Sequence, residues 1–145
     1  MEKFRYLPHT ADMRFRAYGR DFSEALENAA LALLNAMLDI KVIEKDGSKD
    51  IAVAINESAD DDVQLVWFTL QDILSKVDSR KLNAYSFKVT SVKEGPKGSF
   101  SLKGKLLCKK IGADNALLSV KAVTPHDLKI NRGEKGVSIN VVVDV

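Results

Sequence analysis

The stretch Asp12-Met13-Arg14-Phe15-Arg16-Ala17-Tyr18-Gly19-Arg20-Asp21-Phe22-Ser23-Glu24-Ala25-Leu26 changes period midway. As far as Tyr18, apolar Met13, Phe15 and Ala17 alternate with Arg14, Arg16 and Tyr18, the two-residue period of a strand with one buried face. From Phe22 onward the apolar positions Ala25, Leu26, Ala29, Ala30, Leu33, Leu34, Met37 and Leu38 follow the i, i+3, i+4, i+7 spacing of an amphipathic helix. Asp21 and Glu24 form a capping box immediately after Gly19. The strand therefore turns directly into a helix. Asp12 to Gly19 spans roughly 23 Å at about 3.3 Å per strand residue, and Asp21 to Asp39 returns roughly 27 Å at about 1.5 Å per helical residue. An antiparallel return carries Asp39 back over Asp12.

The pattern repeats further along the chain. A second helical stripe, Val63, Val66, Trp67, Leu70, Ile73, Leu74 and Val77, predicts a helix from about Ala59 to Val77, with Ser58 as N-cap and Asp60, Asp61 and Asp62 near the positive end of its dipole. Asp50 to Ile55 reads as a short strand between the helices. Beyond Leu82 strands follow one another: Ser86 to Val92 turns at Gly95-Pro96-Lys97-Gly98 into a strand marked by Phe100, Leu102, Leu106 and Cys108. Leu118, Val120 and Ala122 mark another strand, and Leu128–Ile130 and Val137–Val145 flank a turn at Arg132–Gly136. Strands clustered around two long amphipathic helices predict an α+β fold with mainly antiparallel sheet. At 145 residues, a single domain over 1–145 is expected.

Several function classes lack their signatures. No apolar run approaches the ~20 residues of a membrane span, and Met1-Glu2-Lys3-Phe4-Arg5 lacks the apolar core of a secretory signal. A cytoplasmic protein without membrane partners is the expectation. The single cysteine, Cys108, reads as a small buried hydrophobe, and with two histidines a structural zinc site is not expected. There is no Gly-x-Ser-x-Gly elbow and no Gly-rich phosphate loop, so neither covalent catalysis nor common nucleotide binding is expected.

The acids carry the functional signal. The closing run Val137-Ser138-Ile139-Asn140-Val141-Val142-Val143-Asp144-Val145 places Asp144 at a strand end, in the polar phase, as Asp12 is at the mouth of its own strand. If these strands pair antiparallel, Asp12 and Asp144 converge. Asp39, at the negative end of the first helix dipole, breaks a local preference worth about 0.3 to 1 kcal/mol. Adjacent carboxylates stay ionised only with positive charge among them. An oxygen-only donor set, completed by the terminal carboxylate of Val145, suits Ca²⁺, Mg²⁺ or Mn²⁺. The competing reading has Asp12 capping a turn, Asp39 solvated and Asp144 paired with a base. His9 is a proton shuttle, a metal ligand or a hydrogen-bonded strand-end residue. Lys121 lies opposite in phase to Val120 and Ala122, an outward lysine by pattern alone. Lys88, Lys93, Lys97, Lys103, Lys105, Lys109, Lys110 and Lys121 face only Glu94 and Asp114 in their stretch, either as solvated strand faces or as a surface for RNA or acidic partners.

His9-Thr10-Ala11-Asp12, Tyr18-Gly19 with its Ala-rich helix, Trp67, Lys121-Ala122-Val123-Thr124-Pro125-His126 and Val143-Asp144-Val145 together resemble the archease family, in order and along the whole chain. That resemblance implies a protein cofactor, not an enzyme, that assists an RtcB-type RNA ligase in tRNA splicing by promoting its guanylylation and multiple turnover. It implies a divalent-metal site, Ca²⁺ foremost, at Asp12 and Asp144, with Asp39 in the acidic position after the first helix and Lys121 as a functional lysine. tRNA would be met through the ligase. Pro125 departs from the family pattern, which has an aromatic residue there. Two other classes stand beside this one, a chaperone-like protein and an RNA-binding accessory of tRNA processing.

Overall fold

The computed structural model describes residues 2–8, 12–110 and 114–145. Among the described residues, seven strands form two antiparallel sheets. The first has strand order β1-β2-β7-β6, from Phe4–Leu7, Met13–Gly19, Gly136–Asp144 and Ala122–Gly133. The second is β3-β5-β4, from Asp50–Ala59, Phe100–Lys109 and Asn83–Glu94. Helices α1 (Phe22–Met37) and α3 (Asp62–Arg80) lie between the sheets. The first packs on β2, β7 and β4, the second on β3, β5 and β6. A short helix α2, Ile40–Glu44, follows α1. The α+β architecture with two long helices is the one read from the sequence.

This layering explains why α1 is buried beyond its predicted stripe. Ala25, Leu26, Ala29, Ala30, Ala32, Leu33 and Leu34 are all solvent-inaccessible. Contact with a sheet on either side leaves little of the helix for water, and its alanines permit a close approach. Gly19 shows how close: a Cβ there would stand 2.2 Å from the Ala25 nitrogen. A Cβ on Gly136, where φ is +126°, would stand 2.3 Å from the Gly19 oxygen. The two glycines let the turn after β2, the start of β7 and the first turn of α1 meet.

Both long helices begin alike. Asp21 accepts a hydrogen bond from the Glu24 amide and Glu24 accepts one from the Arg20 amide, at 2.8 and 2.9 Å. Asp61 accepts from the Gln64 amide and Gln64 accepts from the Asp60 amide, each at 2.8 Å. The second of these corrects the predicted N-cap. Ser58 and Ala59 belong to β3, which runs past Ile55, and the helix starts three residues later because Asp61 has a glutamine three residues on to complete the cap. The expected strand through Leu118 and Val120 is irregular chain instead, β6 beginning at Ala122. The 114–120 segment spends its backbone on α1: the amides of Leu117 and Leu118 bond the Met37 carbonyl, and Asp39 bonds the Asn115 carbonyl.

Candidate functional site

β2 and β7 pair antiparallel in register from Met13 opposite Val143 to Gly19 opposite Val137. The ladder ends at Met13 opposite Val143, so Asp12 precedes and Asp144 follows the two members of its last pair. β6 lies on the other side of β7, with Ala122 opposite Asp144. The Lys121 amide donates to the Asp144 carbonyl at 2.7 Å. Thus Asp12, Asp144 and Lys121 come from three adjacent chains at one end of the first sheet. Asp144 and Lys121 are exposed and Asp12 is half-buried. Val145 packs its side chain against the core. His9 lies outside the described residues.

Two features anchor this end. The Trp67 indole donates to the Val123 carbonyl at 2.8 Å, and the Val123 amide donates to the Gln71 side-chain oxygen at 2.9 Å. Helix α3 therefore satisfies the open edge of β6 one residue beyond Ala122, protecting it from further pairing. On the outer face of β2, Arg14 donates to Asp127 at 3.1 Å. Arg14 shares the strand phase of Asp12, so a guanidinium stands two residues from the carboxylate pair. Its Nε is buried with no hydrogen-bond partner. The sequence contained the signal for Arg14 in that shared phase, but its partner could not be read. Asp127 reaches it from a bulge between Thr124 and Lys129, with φ at +59°.

Pro125 and His126 occupy the same bulge, where proline removes no ladder hydrogen bond. The His126 amide donates to the Thr124 hydroxyl at 2.8 Å, and its ring is exposed at the surface, 3.5 Å from Asp127. Asp39 sits elsewhere in the bonding scheme. It is the N-cap of α2 and accepts from the Val42 amide at 3.4 Å. Leu38, not Asp39, caps α1. The acid that looked misplaced at one helix C-terminus is well placed at the next helix N-terminus, which the short α2 made hard to foresee. Among the described residues no group of three or more His, Cys, Asp or Glu side chains stands together as a metal cluster. Asp39 is not gathered with the Asp12–Asp144 pair. The carboxylates of Asp12 and Asp144 at the sheet end are hard oxygen donors, the type that suits a divalent cation such as Ca²⁺.

Cys108 takes no part. It is buried under the second sheet, and burial pushes its thiol up to about 11, with the Asp50 charge adding to the effect. A thiol held neutral is a packing group. Among the described residues, no helix is long and apolar enough to cross a membrane.

Fold and site together define a small α+β protein in which two antiparallel sheets enclose two helices and a sheet end presents paired carboxylates. Residues 4–145 match the model of the Archease protein family (MTH1598/TM1083), and the chain belongs to that family. It is 33% identical to an archease of Methanosarcina barkeri, with 99% of this chain and 97% of that one covered. It is 32% identical to one of Sulfolobus acidocaldarius over the full length of both. The solution structure of protein 1598 from Methanobacterium thermoautotrophicum, 28% identical, covers all of both chains with a TM-score of 0.77. A Thermotoga maritima archease, described as a possible chaperone, shares the fold at 21% identity and a TM-score of 0.53, with 96% of this chain and 94% of that one covered.

Proposed function

We propose that this protein is a non-catalytic cofactor of an RtcB-type tRNA-splicing RNA ligase, raising the ligase's guanylylation and turnover through the carboxylate end of its first sheet. The observation that supports the reading is the β2–β7 register, whose last pair, Met13 opposite Val143, leaves Asp12 and Asp144 at one end of the first sheet, where the Lys121 amide bonds the Asp144 carbonyl. Asp12 and Asp144 would hold one divalent ion, Ca²⁺ foremost, with Mg²⁺ or Mn²⁺ as alternatives. Such an ion supplies charge neutralisation beside phosphate oxygens. This chain's own part is positional. Trp67 and Gln71 fix β6, and β6 and β7 fix Lys121 and Asp144. Lys121 is exposed beside the pair and available to an acidic or phosphate group of the ligase complex. tRNA would be reached through the ligase, in the cytoplasm.

The test is multiple-turnover RNA ligation with purified ligase, with and without this protein. Wild type should raise turnover, and Asp12→Ala or Asp144→Ala, folded by circular dichroism, should abolish the gain. Undiminished stimulation by both variants would sink the proposal.

A second reading, a chaperone-like protein, has its own observation. A groove of about 540 Å³ is lined by Met37, Leu38, Val77, Leu82, Val120 and the 64% exposed Leu117, together with the polar Asp78, Lys81, Asn83 and Asp114. This reading requires suppression of aggregation of unrelated clients. It also requires that Leu117→Ser diminish that effect while chelators leave it unchanged.

A further inference from the structure

The outward face of the second sheet lies apart from the carboxylate end. Its central strand β5 sets Lys105 opposite Lys88 on β4 and Ala54 on β3, Lys103 opposite Ser91 and Asn56, and Ser101 opposite Lys93 and Ser58. All four of these lysines are exposed. Among the described residues, the one acid in the outward phase of these strands is Asp50, at the far end, where Lys109 binds it at 2.9 Å and the Tyr85 hydroxyl at 2.8 Å. Among the described residues no carboxylate pairs with Lys88, Lys93, Lys103 or Lys105. Glu57 has the opposite phase and interacts with Asp72 of α3 beneath the sheet.

Fold stability does not account for this arrangement. Like charges directly opposite one another, as Lys88 and Lys105 are, destabilise a sheet. Protection of an exposed edge accounts for lysines on β4, but Lys103 and Lys105 are on the central strand, which has no open edge. A face kept merely soluble intersperses both signs. Here one sign occupies three successive cross-strand rows, and the two β5 lysines recur at about 6.6 Å along the strand. Between the rows a shallow depression of about 250 Å³ exposes Asn56, Ser58, Ser91 and Ser101 beside Lys93 and Lys103, with Glu57 also in its lining.

We propose that this face binds a single strand of nucleic acid through its phosphates, reading neither base nor sugar. Lysine, serine and asparagine are the side chains that contact phosphate oxygens. The same composition argues against a protein occupant, because protein interfaces are rich in aromatic residues, Met and Arg and depleted in Lys, Ser and Ala. No aromatic ring stands in the three lysine rows to stack a base, so phosphate contacts carry the binding, and those hold no sequence information.

The test is fluorescence anisotropy of labelled oligouridylate and oligothymidylate with the full chain and no ligase, so its outcome is independent of the ligase proposal. Both should bind alike at 50 mM salt. For four phosphate contacts log affinity should fall with log salt at a slope of about −3, roughly a 50-fold loss by 200 mM. Lys103→Glu/Lys105→Glu should abolish binding while leaving the thermal midpoint at or above wild type, because Lys88 then faces an opposite charge. Four results overturn the proposal: no binding at 50 mM, a salt slope near zero, a folded double variant that binds as wild type does, or strong preference for one sugar. Polyglutamate competing as well as the oligonucleotides at equal charge would instead assign the face to an acidic protein.

Discussion

At the scale of single residues, the acids divide by what holds them. Asp21, Asp39 and Asp61 each satisfy the start of a helix, and Asp72 pairs with Lys76 at 3.0 Å. Asp12 and Asp144 stand at one end of the first sheet, and a divalent ion bound between them would offset the repulsion of two carboxylates. Glu57 offers a separate test of electrostatics. Burial, together with a hydrogen bond to the Asp72 carboxylate and that group's charge, pushes it up to about 7 from an ordinary 4.5. The folded protein therefore holds a proton on Glu57 over a range where the unfolded chain has lost it. The stability conferred by the neutral form is complete below about 4.5 and is lost as pH rises through about 7. Thermal midpoints measured between pH 5 and 8 should fall with pH in wild type and fall less in Glu57→Gln.

At the scale of elements, the connection from β2 to α1 controls how the first sheet meets the helix layer. Gly19→Ala places a methyl group against the Ala25 backbone, which cannot swing away as a flexible side chain would. A loss of about 1 to 3 kcal/mol is expected, measured by urea denaturation with unchanged slope. The contact between α3 and β6 is the corresponding joint on the other side. Trp67→Phe keeps most of the packing but leaves the Val123 carbonyl without its donor. About 1 kcal/mol should be lost, and amide exchange should rise first at the start of β6, where Lys121 and the bonds to β7 are held.

These joints also show why elements were easier to read than their ends. The alternation Met13 to Tyr18, the helical stripe from Phe22, and the β4–β5 hairpin all appear where periodicity placed them, because one buried face is enough to set a period. The missed boundaries depend on partners distant in sequence. Ser58 lies in β3 because Ser101 of β5 pairs with it, and 114–120 is irregular because its amides bond the end of α1. Asp39 became a cap only because α2 follows, a helix of five residues too short to carry a periodic signal.

At the scale of the whole molecule, ion binding at the sheet end should couple to global unfolding, since it draws on β2 and β7, strands far apart in the chain. Added Ca²⁺ at about one hundred times its dissociation constant should stabilise the folded state by about 2.7 kcal/mol. A calorimetric midpoint that rises with Ca²⁺ in wild type, and does not rise in Asp12→Asn/Asp144→Asn, is the expected result. An equal rise in both proteins would remove Asp12 and Asp144 as ligands.

What the chain determined alone was local in kind. The two periods, the Asp-led helix starts and the polar phase shared by Asp12, Arg14 and Asp144 follow from the order of residues, because backbone geometry converts spacing into faces. Tertiary structure decided which faces met. It enclosed α1 between two sheets and drew Asp127 to Arg14 across β7. It aligned Lys88 with Lys105, and it kept Asp39 for α2 rather than for the carboxylate pair. Those choices depend on strand order and on hydrogen bonds between residues tens of positions apart. Only the competition among all buried surfaces at once settles them.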